Sequence, residues 1–271
     1  MDKSDTMGVS QGTSLQSSDR DQGSAPQPRG LSALANPARF LRFVAVILPW
    51  LAVLTVGLLG VGLWMSVMAP ADYQQGRSAA IMFVHVPSVW TAMGAYVVMV
   101  SGALGVLVWR HPLADVAARA AAPLGAAFTF LGLVTGSVWG KPIWGTWWVW
   151  DARLTSFLVL LIIYLGLIAL WNAIEEPAKS ARMAAVAILV GAINLPIIKF
   201  SVDWFNTLHQ PASVLRAGGP TLSAEFLYPL LVMGLAFLLV FTSLHLMAMR
   251  NEILRRQIRT LLRKAARERR G

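Results

Sequence analysis

Between residues 43 and 249 the chain alternates long apolar runs with short polar ones. Six runs stand out, at 43–64, 90–108, 120–138, 154–170, 183–198 and 226–249. Each is near the length of helix needed to cross about 30 Å of hydrocarbon. The pattern therefore predicts an all-α, polytopic integral membrane protein with six transmembrane helices. The fifth run is short, and Asn194 and Pro196 predict a packing kink within it. The first run far exceeds a signal-peptide core. Although Ala69-Pro70-Ala71 imitates a cleavage site, an uncleaved anchor is expected.

The flanks read differently. Residues 1–42 are rich in Ser, Gln, Gly and Pro without apolar periodicity, which predicts a disordered tail. Residues 250–271 form a basic tail, with Ile253, Leu254, Ile258, Leu261 and Leu262 at helical spacing against a dense arginine face. That spacing predicts an amphipathic helix on the inner leaflet, with docking on a cytoplasmic partner as the alternative.

Composition sharpens the class. Hydrophobic residues are 56% of the 271, charged residues only 13%, and mean hydropathy is +0.59. A net charge of +10 in a soluble protein would suggest nucleic acid as a partner. Here the basic residues gather at chain ends and short loops, so topology and the anionic leaflet of a lipid bilayer explain them and no nucleic-acid partner is expected. Eighteen of the 23 Lys and Arg residues fall on the side of the two termini, which predicts cytoplasmic termini and an outward-facing loop at 139–153. There is no cysteine, which excludes disulfides, thiolate ligands and a C-x-x-C-H haem attachment site.

The segment 139–153, WGKPIWGTWWVWDAR, holds Trp139, Trp144, Trp147, Trp148 and Trp150, five of eleven tryptophans, and ends in Asp151 and Arg153. Such a segment is a rigid apolar surface with indole N–H groups at its edges, suited to a large planar ligand. An interfacial aromatic belt is the competing explanation. Topology places His85, just before the second span, and His209, in the third outer loop, on the same side as this segment. His111 and His245 fall on the other side. Two imidazoles beside an aromatic platform suggest haem, whose iron accepts one on each face and whose propionates need basic partners. His85 and His209 are the candidate axial ligands, and Trp144, Trp147, Trp148 and Trp150 the candidate disc contacts. Arg153, Lys141 and Arg77 are candidate propionate partners, with headgroup snorkelling as their alternative. Asp151 could fix Arg153 or cap the fourth span, and Pro87 predicts a helix start.

The run WGTWWVWDARLT at 144–155, with VHVP at 84–87 and TLHQP at 207–211, resembles the tryptophan-rich WWD haem-handling proteins. Six spans and one such loop are most similar to their CcmC branch, the haem-handling membrane subunit of bacterial cytochrome c maturation. The resemblance covers 43–249. It implies a non-enzymatic protein of the bacterial inner membrane that presents non-covalently bound haem b at the periplasmic face and loads it onto the chaperone CcmE. It also implies a complex with CcmA, CcmB and CcmD, axial ligation by His85 and His209, and a platform from Trp144 through Asp151. A WWD-type haem lyase and a haem transporter are the alternatives. The lyases carry more spans and histidines, and transport predicts polar groups along the spans or an internal repeat, of which little is evident here.

Overall fold

The computed structural model describes residues 36–209, 213–214, 216 and 218–269. Residues 1–35, Gln210 and Pro211 of the TLHQP segment, and Arg270 lie outside the described residues. The described chain folds as α1 (Pro37–Met68), α2 (Met82–Leu107), α3 (Ala114–Trp144), α4 (Ala152–Ala173), α5 (Pro177–Gly191), α6 (Asn194–Trp204) and α7 (Ala224–Glu268), with a 3₁₀ turn at Arg77–Ile81 leading into α2. Six helical units are long and apolar enough to span a membrane, with α5 and α6 together making the fifth.

Several boundaries move outward from their predicted places, each for a local reason. Residues 37–42, predicted to belong to a disordered tail, are helical, because Asn36 caps α1 by accepting from the Ala38 N–H at 2.9 Å and Pro37 fills the first helical position. The second span starts at Met82, so Pro87 lies inside α2 and His85 sits on the helix rather than in the outer segment before it. The third span runs through the predicted loop as far as Trp144, which leaves only residues 145–151 as loop. The basic tail is no separate surface-lying helix. It continues α7 unbroken to Glu268, giving 45 residues, about 67 Å of helix. Residues 250–268 contain no Gly or Pro and abound in Arg, Leu and Ala, so nothing halts the helix at the membrane surface.

Helices α2 and α3 form the central pair, with α7 and α5 packed on α2 and α4 on α3. Small side chains let the backbones approach, notably Ala92, Ala95 and Ala103 on α2 with Ala118, Ala121, Ala122 and Ala126 on α3. Two tyrosine hydroxyls inside the bundle are satisfied by carbonyls of neighbouring helices. The Tyr96 hydroxyl donates to the Ile188 carbonyl at 3.0 Å, and Tyr164 donates to that of Ala92 at 2.7 Å. The kink expected in the fifth span is a break between Gly191 and Asn194. Tyr96 serves a carbonyl just before it, and Asn194 Nδ2 donates to the Ser156 carbonyl at 2.9 Å just after it. Helix α1 is peripheral and packs chiefly on α7, where Thr55 and Ser243 hydroxyls meet at 3.3 Å. Phe40 and Val44 cluster with Met249 and Ile253. The start of α1 and the later part of α7 therefore share one end of the bundle. The starts of α2, α4 and α7 share the other end with the tryptophan loop, and the site lies there.

Candidate functional site

His85 projects from the first turns of α2 against α3. Its Nδ1 lies 3.0 Å from the Gly132 carbonyl oxygen and 3.1 Å from Thr135 Oγ1. Thr135 Oγ1 already donates to the Leu131 carbonyl at 2.7 Å. The arrangement is satisfied when Nδ1 carries the proton and donates it, which leaves Nε2 as a free lone pair. The ring also meets Trp139 edge-on, with centroids 5.7 Å apart. Gly136 makes this approach possible, because a Cβ there would lie 2.9 Å from His85 Cε1.

His209 comes from the loop after α6. Its Nδ1 lies 2.9 Å from Asp151 Oδ2, while the other oxygen of the same carboxylate accepts the Leu154 N–H at 2.7 Å. Asp151 thus caps α4 and orients His209 at once. Trp144 packs edge-on against the imidazole at 4.8 Å. Burial holds His209 below its ordinary value of 6.5, and the opposing pull of Asp151 does not reverse this. The pair is therefore a neutral imidazole donating Nδ1–H to a carboxylate, with Nε2 free to ligate.

Both imidazoles line one cavity of about 480 Å³, within the range of small-molecule and cofactor sites. On α2 the wall is Met82, His85, Val86, Val89, Trp90 and Met93, and on α3 it is Gly132, Leu133, Gly136, Trp139, Gly140 and Ile143. Each set repeats with helical spacing. Trp144 ends the α3 wall, Arg153, Lys199 and Phe226 contribute from other helices, and 72–75 closes one side. That segment is held by Asp72, which accepts from the Gln74 and Gln75 N–H groups, and by Gln75, whose Oε1 accepts the Trp139 indole N–H at 3.0 Å. Two imidazoles with free Nε2 atoms, a flat indole and glycine wall and two cations at its polar margin fit an iron porphyrin.

The predicted residues divide into two groups. His85, His209, Trp139, Trp144 and Arg153 line the cavity, and Asp151 stands directly behind His209. Trp147, Trp148 and Trp150 do not line it. The chain turns away at Gly145, whose φ of +75° is the left-handed end of α3. Trp148 then anchors the loop against the core, while Trp147 and Trp150 stand 58% and 75% exposed. Two proposed propionate partners are occupied elsewhere. Arg77 donates to the Ala69 and Val67 carbonyls at the end of α1, and Lys141 donates to the Gly145 carbonyl at 2.9 Å and lies over the Trp147 ring. Arg153 Nε donates to Ser201 Oγ at 3.3 Å from the cavity wall. Sequence reasoning missed Trp90, Lys199 and Gln75. The periodicity of 82–93 signals Trp90 once the helix is extended back through Pro87, whereas no local pattern signals the other two.

Comparisons with known proteins identify the family. A family model described as heme exporter protein C matches residues 30–264. A heme exporter protein C from Bradyrhizobium diazoefficiens is 66% identical over 228 residues, covering 84% of this chain and 87% of the relative. One from Escherichia coli K12 is 48% identical over 225 residues, covering 83% and 91%. One from Paracoccus denitrificans is 42% identical over 229 residues, covering 84% and 95%.

Proposed function

The chain belongs to the heme exporter protein C family, and from that premise we propose that it handles haem for cytochrome c maturation as a binding platform rather than an enzyme. In this reading the cavity opens at the periplasmic face of the inner membrane, both termini are cytoplasmic, and haem b is cargo. The chain lacks cysteine, which rules out a thioether tether, and in this reading the porphyrin is held non-covalently by the two imidazoles and the cavity wall. CcmE receives it, and CcmA, CcmB and CcmD complete the complex.

The observation that carries the reading is that both cavity imidazoles have Nδ1 engaged, with no hydrogen-bond partner for Nε2 among the described residues. An imidazole whose other nitrogen donates to a carboxylate or carbonyl is fixed in tautomer and orientation and made a better ligand. His85 uses a helix carbonyl and His209 a carboxylate, so the two are unequal. The His209 side, carried on a loop, is the one suited to release, while His85 on the rigid α2–α3 pair retains. Arg153 and Lys199 are the cations available to propionates, and Trp139 and Trp144 supply the flat apolar contact. Outside the cavity, Trp147 and Trp150 form an exposed aromatic pair of faces for the receiving chaperone.

The test is spectroscopic. Purified protein should show a haem Soret band that H85A and H209A each shift and that the double variant abolishes. An unchanged spectrum in the double variant refutes the ligand assignment. W144A should weaken haem retention. W147A/W150A should retain haem yet pass it to CcmE slowly, and normal transfer by that variant would leave the exposed tryptophans as an interfacial belt.

A further inference from the structure

The end of the bundle opposite the haem cavity carries a second, polar cavity of about 500 Å³, formed where α3 and α5 begin, α4 ends and α7 leaves the apolar core. Its α7 wall is Glu252, Arg256, Arg259, Thr260 and Arg263, one helical face. The inner part of this wall is already neutralised. Arg256 pairs with Asp115 and with Glu252 at 2.8 Å, Trp171 Nε1 donates to Asp115 at 3.1 Å, and Arg119 reaches Glu252 at 3.7 Å. Arg259 and Arg263 are outside this network, exposed, and face the same cavity. Across from them stands Ser180 in the first turn of α5, 3% exposed, its hydroxyl without a hydrogen-bond partner among the described residues.

From this juxtaposition we infer that the Arg259–Arg263 face and Ser180 bind the phosphate group of an anionic ligand. Two guanidiniums supply charge and forked N–H donors, and the serine hydroxyl supplies a further, uncharged donor. Asp115 and Glu252 do not oppose the ligand, because Arg256 and Arg119 hold their charge. Glu175 is the one further carboxylate on the wall and leaves a cationic excess. The cavity is built at the ends of the apolar spans, where the basic extension of α7 begins. Basic recesses between spanning helices at this depth suit anionic phospholipid headgroups. The geometry accommodates a phospholipid phosphodiester, and a soluble phosphate would meet the same donors.

The full chain, purified in detergent and stripped of lipid, should be titrated with phosphatidylglycerol, phosphatidylcholine and inorganic phosphate, with retained lipid counted by native mass spectrometry and phosphate followed by thermal shift. Phosphatidylglycerol should occupy one site that phosphatidylcholine does not. R259A/R263A should weaken it about 25-fold, taking about fivefold for each arginine, and S180A should weaken it severalfold without altering charge. Competition by millimolar phosphate would assign the site to a soluble ligand, and indifference to phosphate assigns it to lipid. Equal binding by R259A/R263A and the unaltered chain, unchanged binding by S180A, or an equal loss in R250A/R267A, whose arginines are exposed and lie off the cavity, overturns the inference.

Discussion

Replacing Asp151 with Asn changes one oxygen for an N–H₂ group and separates two functions that the carboxylate combines. In the structure Oδ1 accepts the Leu154 N–H at 2.7 Å and Oδ2 faces His209 Nδ1 at 2.9 Å. Asn keeps the first contact through its carbonyl oxygen and turns a donor toward the second. His209 can then satisfy that donor only by moving its proton to Nε2, which removes the lone pair needed for ligation. Loss of such an orienting partner typically costs ~10–100-fold in metal affinity, which is about 1.4–2.7 kcal/mol. Stability should change little, because the helix cap survives. Asp151→Ala loses the cap as well, at about 0.5–2 kcal/mol, and should both bind haem weakly and unfold earlier. The assay is haem titration into detergent-purified variants, followed at the Soret band, with thermal unfolding of each apoprotein alongside. D151N binding haem as tightly as the unaltered protein, while H209A loses it, would refute the role given to Asp151. Equal destabilisation of D151N and D151A would show that the cap, not the imidazole, was the function disturbed.

Other outcomes follow from the same geometry. Gly136→Ala should drive the His85 ring from its place, since the new Cβ would stand 2.9 Å from Cε1, and haem affinity should fall about tenfold or more while the helical circular dichroism is kept. Burial lowers the His209 value below 6.5, so the neutral ligand-competent form predominates above 6.5 and is lost as pH falls through the depressed value. Haem release on acid titration should accordingly have its midpoint below 6.5, and a midpoint above it would contradict a buried neutral ligand. Gln75→Leu removes the acceptor of the Trp139 indole N–H and should speed haem dissociation severalfold through loosening of the 72–75 segment, a loss of about 1 kcal/mol, measured by transfer to apomyoglobin. Asp115→Ala leaves Arg256 and the Trp171 N–H without their shared acceptor. Arg256 is a third exposed and partly rehydrated, so the stability loss should be about 2 kcal/mol, below that of a fully buried pair, with the haem spectrum unaffected.

The apolar runs alone determined that the chain crosses a membrane six times, because a spanning helix must satisfy its own backbone and needs a fixed length of apolar residues. They also set which histidines share an end with the tryptophan segment, since that follows from counting crossings. The same pattern could not mark where helices extend past the hydrocarbon. Helix α7 continues through an arginine-rich stretch, and α2 begins before Pro87, because helix propensity persists where hydropathy ends. The segment 139–153 named the right region, but tertiary structure sorted its members. A left-handed turn at Gly145 sends Trp144 into the cavity and Trp147 and Trp150 out of it, and sequence spacing carries no record of which way a loop turns. The pairing of Asp151 with His209 across 58 residues, the reach of Gln75 to Trp139 across 64, and the place of Lys199 on the cavity wall depend on how the helices pack. Such contacts join positions remote in the chain, so they exist only once the bundle has closed.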